Sequence, residues 1–242
     1  MTESPVPSIW LRPARAARGP APTFDRDRIA ATGVALADEQ GLPAVTMRAV
    51  AHALGAGQAS LYRYVATRDE LLELMVDRVN GEVSYPGTGS ASGPASGEWL
   101  ADLLELARQS RRVCLAHPWL LDATASRSPL GPNAVAYLEH ALAAMAGLRV
   151  SARTKLEAVG VLGAVVTALT RAELTQRLAG QSVPQWQRAQ AEYLARVTDA
   201  GDHPHLAAAL APAPRISRGE SQELLFDRII TRMLTGLLHS EE

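Results

Sequence analysis

The stretch GLPAVTMRAVAHALGAGQASLYRYVATRDELL, Gly41 to Leu72, decides the fold. Gly41 reads as the residue that ends a preceding helix, because glycine tolerates the left-handed conformation a helix C-terminus favours. Thr46 reads as an N-cap, opening a short helix through Leu54 whose inner face is Val50, Ala51 and Leu54. Gly55 permits a tight turn, and a second short helix covers Gln58 to Tyr64. A longer helix starts near Arg68 and continues to Val83. Two short helices across a glycine turn, braced by a third, make a helix-turn-helix. Its second helix must fit a DNA major groove and turn polar donors and acceptors outward. Gln58, Ser60, Tyr62, Arg63 and Tyr64 sit on that helix, while Leu61 and Val65 face back toward Val50 and Leu54. Thr46 and Arg48 open the preceding helix, where backbone N–H groups and the helix dipole favour a phosphate.

Upstream, a helix over Asp25–Gln40 has Ile29, Gly33, Leu36 and Ala37 at the spacing of one buried face. Before it, Met1–Thr23 holds five prolines with Arg12, Arg15 and Arg18 and no helical period. This segment reads as a disordered basic arm, a tether that could follow the DNA backbone or an adjacent minor groove. From Trp10 to Arg68 the arginines 12, 15, 18, 26, 28, 48, 63 and 68 outnumber Asp25, Asp27, Asp38 and Glu39. The whole chain carries a net charge of only −1, so the excess of positive charge is local to this first quarter. That is the footprint of a local nucleic-acid surface, not of a protein that coats DNA over its whole surface.

The runs Gly41–Arg48, Leu54-Gly55, Leu61–Val65 and Arg68–Leu72, in that order and spacing, resemble the DNA-binding domain of the tetracycline-repressor family, over about Phe24 to Leu72. The resemblance implies residue roles. Thr46 would bind a phosphate, and Arg48 would reach a phosphate or a guanine edge. Gln58, Ser60 and Arg63 would face the major groove, Tyr62 and Tyr64 would hold the DNA backbone, and Arg68, where the family usually has Lys, would meet a phosphate. Gly57 and Ala59 depart from the commoner residues at the start of the recognition helix.

Beyond Ser84 the composition turns to Gly, Ser and Pro, a flexible loop over 84–97. Helical stretches follow near Glu98–Ala116, Trp119–Ala125, Asn133–Ala146, Ser151–Ala179, Pro184–Ala200 and Gln222–His239, with Gly201–Gly219 partly helical at best. The organisation is thus an arm over 1–23, a helix-turn-helix domain over 24–70 and a second helical domain over 71–242. His117-Pro118-Trp119, Gly131-Pro132-Asn133 and Leu138-Glu139 resemble the family's C-terminal domain, over about Glu98 to Leu178. The resemblance implies a homodimer in which the long helix and the last helix pair with their copies. Leu224, Leu225, Ile229, Leu234, Leu237 and Leu238 give the last helix an apolar face wider than one chain's core needs. It also implies a small-molecule pocket, with Leu103, Leu106, Ser110, Trp119, Leu138, Leu142, Val159 and Gly163 as its candidate lining. These residues suit an apolar or amphipathic ligand better than a magnesium–tetracycline complex.

An all-α fold agrees with the Ala- and Leu-rich composition and only two Phe. Cys114 is the single cysteine, so neither a disulfide nor a thiolate cluster can form within the chain. The histidines lack metal-ligand spacing, and no catalytic motif occurs, so no metal, cofactor or enzymatic activity is expected. No apolar run reads as a signal peptide or approaches a membrane span, which points to the cytoplasm. The expected function is a sequence-specific transcriptional regulator, a repressor released from a palindromic double-stranded operator by a small effector. The alternative is a regulator whose C-terminal domain answers to a protein partner instead.

Overall fold

The computed structural model describes residues 8–12, 25–85, 99–125, 129–178, 185–199, 201–210 and 221–239. Among them there are helices and no strands, as the composition predicts. Helix α1 (Arg26–Gln40) is capped by Asp25, whose carboxylate accepts the Arg28 N–H at 2.8 Å, and Gly41 ends it at φ +80°. Its buried face is Ile29, Ala30, Gly33, Val34 and Ala37, with Leu36 only half-buried. A 3₁₀ turn over Leu42–Ala44 leads to α2 (Met47–Ala53) and α3 (Gln58–Leu61), then to α4 (Arg68–Asn80). Helix α1 lies so close to α4 that a Cβ on Gly33 would come within 2.6 Å of the Met75 sulfur. That approach, and not the backbone angle, is what favours glycine at position 33.

Helix α4 does not respect a domain boundary at residue 70. It packs against α1 on one side and against α5 (Trp99–Ala116), α6 (Leu120–Ala123) and α7 (Pro132–Ala144) on the other. The long α8 (Ala152–Leu178) and the last helix, α11 (Gln222–Leu238), close a core with α5 and α7. Between them α9 (Gln185–Asp199) and α10 (Pro204–Leu210) pack on each other. Helix α10 falls within the stretch 201–219, of which the residues from 211 on lie outside the described ones, as does most of the loop expected over 84–97.

Three expectations need correction. The segment read as a disordered arm is anchored over 8–12: Ile9 is 1 % exposed and belongs to the core. Arg15 and Arg18 lie outside the described residues. Leu234 and Leu238, expected on an outward face, are buried inside the protomer with Phe226 and Ile230; Leu224 and Leu237 are exposed. Finally, α8 is long and apolar enough to cross a bilayer, with mean hydropathy 1.4 and only a third of that window buried. Short alanine and glycine side chains interleaved with Val and Leu produce this value without a continuous run of large apolar residues.

Candidate functional site

The recognition end is built from the frame outward. Thr46 Oγ1 accepts the Ala49 N–H at 3.1 Å and so starts α2. Gly55, at φ +66°, reverses the chain, and the Ala56 N–H returns to the Ala51 carbonyl at 2.9 Å. Val50, Leu61 and Val65 are each fully buried beneath this turn. Helix α3 is shorter than its pattern suggests and stops at Leu61. Tyr62, Arg63 and Tyr64 ride a closing turn in which the Tyr64 and Val65 N–H groups both donate to the Leu61 carbonyl. Arg63 therefore projects from the turn after the helix, not from the helix itself.

With the inner residues committed to packing, Arg48, Gln58, Tyr62 and Arg63 are exposed, and Ser60 and Tyr64 are half-buried. The Gln58 amide reaches the Tyr62 hydroxyl at 3.4 Å. Arg68 is exposed too, but its guanidinium has structural partners: Nε donates to the Val45 carbonyl at 2.9 Å and Nη2 to that of Leu42 at 3.1 Å. It ties the start of α4 to the 3₁₀ turn that leads into α2. Thr67 caps α4 through the Glu70 N–H, while Glu70 accepts the Ala66 N–H at 2.7 Å. The Thr67-x-x-Glu70 spacing is the sequence signal for this cap.

In the second domain α5, α7 and α8 pack pairwise. Leu103, Leu106 and Val159 are buried there, and Ser110, Leu138, Leu142 and Gly163 are half-buried. Trp119 does not join them. Its indole N–H donates to Asp38 of α1 at 2.7 Å, so the ring is a junction residue between the two domains. Beside it His117 is held between Asp38 (Nδ1, 2.7 Å) and Glu82 (Nε2, 3.1 Å). Burial alone would lower the imidazole pKa, but the bonds to both carboxylates outweigh it and raise it above the ordinary value. Sequence reasoning treated His117 as an ordinary histidine, since its partners stand 79 and 35 residues away.

Polar groups were also missed at the α5–α7 wall. Tyr137 is hydrogen-bonded to Ser110, and burial pushes its hydroxyl pKa up. His140 stacks on Tyr85 with ring centroids 3.7 Å apart, and its Nε2 is buried without a hydrogen-bond partner. Cys114, in the same helix as Ser110, has its thiol pushed up to about 11 by burial, which suppresses the reactive thiolate. Asp77 of α4 accepts the N–H groups of Asn133 and Ala134 at 3.0 and 3.3 Å, capping α7 from outside that helix. A Cβ on Gly131 would collide with this carboxylate.

A helix-turn-helix with an exposed polar face, coupled through one shared helix to an all-helical second domain, defines a class of regulators. Residues 29–75 match the family described as bacterial regulatory proteins of the tetR family. Residues 93–240 match the tetracyclin repressor-like C-terminal domain. The transcriptional repressor DrrR1 of Streptomyces coeruleorubidus is 34 % identical over 203 residues, 82 % of this chain and 73 % of that protein. ActR of Streptomyces coelicolor, in its apo form, superposes with a TM-score of 0.72 at 29 % identity, over 91 % of this chain and 97 % of its own. ActR in complex with actinorhodin gives 0.73 at 28 % identity, over 90 % and 98 %. The chain belongs to the TetR family of bacterial transcriptional regulators and is a DNA-binding, ligand-responsive repressor.

Proposed function

We propose that the chain binds a two-fold symmetric operator as a homodimer and leaves it when a small, mostly apolar effector occupies the α5–α7–α8 wall. Base reading falls to Gln58, Ser60 and Arg63, and phosphate contacts to Thr46, Arg48, Tyr62, Tyr64 and Arg68. The observation that carries this reading is the contrast on one short element: Leu61 and Val65 fully buried, Tyr62 and Arg63 exposed. A packed frame that leaves such polar side chains exposed fits a groove-reading surface.

The dimer reading is supported by apolar side chains that the protomer leaves outside. Leu156 and Val161 on α8, and Leu224 and Leu237 on α11, are exposed. A second copy would cover them, and two recognition helices about one DNA turn apart would then face a palindrome. The same need accounts for the bilayer-like hydropathy of α8. The effector would find Leu103, Leu106, Leu138, Leu142, Val159 and Gly163 as its apolar surroundings, with Ser110, Tyr137 and His140 as polar handles. The ligand-bound ActR structures support a small molecule over a protein partner. Operator DNA in a bacterium lies in the cytoplasm, which is where this reading puts the protein.

The test begins with a duplex that the full chain selects from a random pool. Its footprint should be two-fold symmetric, and sedimentation should give roughly twice the chain mass. Leu224→Glu with Leu237→Glu should yield a folded monomer that no longer holds the selected duplex. A monomer in the wild type, or a monomeric variant with normal affinity, would overturn the dimer.

A further inference from the structure

Residues 8–12 make contacts that a DNA tether does not need. The chain turns there, with the Leu11 N–H on the Ser8 carbonyl at 2.9 Å, and Ile9 enters the core. Arg26 of α1 grips the turn from below, its Nη1 donating to the carbonyls of Ile9 and Arg12 at 3.0 and 3.1 Å. Trp10 lies over Gly131 at the start of α7, where an added Cβ would be 2.7 Å from the indole. Arg12 then forms an ion pair with Glu70. The segment therefore touches α1, α4 and α7 at once.

Glu70 is the informative partner. It is 7 % exposed, and the same Oε2 that meets Arg12 accepts the Ala66 N–H. Ala66 stands in the turn between Arg63 and α4. Arg12 pairs with this carboxylate, and the Arg26 guanidinium, bonded to the Ile9 and Arg12 carbonyls, lies within its electrostatic reach. Burial and the neighbouring Arg12 lower the Arg26 pKa, while Glu70 raises it. Removing Glu70's charge would leave two close cations without their counter-ion, and removing Arg12 would leave a nearly buried carboxylate one partner short. At the start of α4, Arg68 is anchored on Val45 and Leu42. The C-terminal end of the turn that carries Arg63 is thus held twice, by Glu70 and by Arg68.

We propose that residues 9–12 are a positioning strap for the recognition surface: Arg12, acting through Glu70, fixes the α3–α4 turn and hence the direction in which Arg63 projects. Arg12 is a positioning residue and not a phosphate contact. The inference rests on the reading that residues 58–64 face DNA. It assigns the first arginine of the basic segment to the fold, and it makes operator discrimination depend on a residue outside the helix-turn-helix.

Two duplexes test it: the one selected from a random pool by the full chain, and a scrambled duplex of equal length and composition. Arg12→Ala should lose on the order of tenfold affinity for the selected duplex and stay within about twofold on the scrambled one. Its salt dependence should not change, because no phosphate contact is lost. The Ala66 amide should lose protection from hydrogen exchange, and Arg12→Lys should restore most of both effects. Glu70→Gln, which keeps an acceptor for Ala66 and should fold even if Arg12→Ala does not, should weaken the selected duplex in the same direction. Tighter binding of Glu70→Gln to both duplexes would mean that a released Arg12 prefers phosphate, and would overturn the strap. So would an equal loss on both duplexes in Arg12→Ala with a salt slope lower by about one. Arg63→Ala run alongside separates the two readings. If it loses discrimination and the strap variants do not, only the strap fails; if it too binds normally, the recognition surface itself is misplaced.

Discussion

The recognition end and the helical second domain place their polar side chains in opposite ways. Around α3 the groups available for chemistry, Arg48, Gln58, Tyr62 and Arg63, are exposed, and the elements beneath them are held by backbone hydrogen bonds, caps and small apolar residues. In the second domain and at the junction, charge is buried and paired. Arg111 and Glu173 meet through two bonds of 2.9 Å, with only 9 % and 6 % of the residues exposed. His117 is enclosed by Asp38 and Glu82. The difference shows that the exposed side chains of Arg48 and Arg63 carry little of the fold, whereas the ionic groups of the second domain are part of its architecture. Substitutions should therefore fall on a gradient of stability effects from the second domain to the recognition surface.

The largest effect is expected at Glu173. Glu173→Ala would strand Arg111, whose guanidinium is wedged between α8 and the Phe226 ring of α11, centroid distance 5.4 Å. Removing one partner of a buried pair costs about 3–5 kcal/mol. Chemical denaturation should show that loss, with a Glu173→Leu, Arg111→Met double variant recovering much of it. A loss under about 1 kcal/mol would place this pair with ordinary surface ion pairs and blur the comparison.

A smaller and pH-dependent effect is expected at the junction. The His117 pKa is raised in the folded chain, against an unfolded value near 6.5. A raised pKa means that the folded state holds the proton more tightly. Its stabilisation is fully present below the unfolded pKa and is lost as pH rises through the folded value. The difference in melting temperature between wild type and His117→Gln should therefore be greatest in mildly acidic buffer and shrink toward alkaline pH. A difference that grows with pH would mean that the imidazole is neutral between its two carboxylates.

Much of the first domain was legible because its signals are local. Thr46 caps a residue three positions on, Gly55 turns on its own backbone angle, and Leu61 and Val65 repeat at helical spacing. One reading failed there on reach: contacts from residues 9–12 to Glu70 leave no periodicity to detect. The end of α3 at Leu61 instead of Tyr64 is a local closing turn that keeps helical side-chain spacing, so the pattern alone extends the helix too far. In the second domain the helices were legible and their partners were not. Arg111 pairs across 62 residues, Arg108 pairs with Asp227 across 119, and Trp119 faces α1 instead of the expected pocket wall. The apolar pattern of α11 revealed two faces without saying which of Leu224, Leu234, Leu237 and Leu238 turns inward.

At the far end of the gradient stands Arg63, exposed and seated above buried Leu61 and Val65. The direct test of the account is the affinity of Arg63→Ala for the selected duplex and for its scrambled counterpart, with a thermal melt of the same sample. The melt should match wild type to within about 0.5 kcal/mol, as for an exposed side chain. The selected duplex should lose about 1–3 kcal/mol of binding while the scrambled one changes little, because a bidentate base contact carries sequence information and a phosphate contact does not. Undiminished discrimination by Arg63→Ala, or a protein that no longer folds, would contradict the claim that residues 58–64 read the DNA.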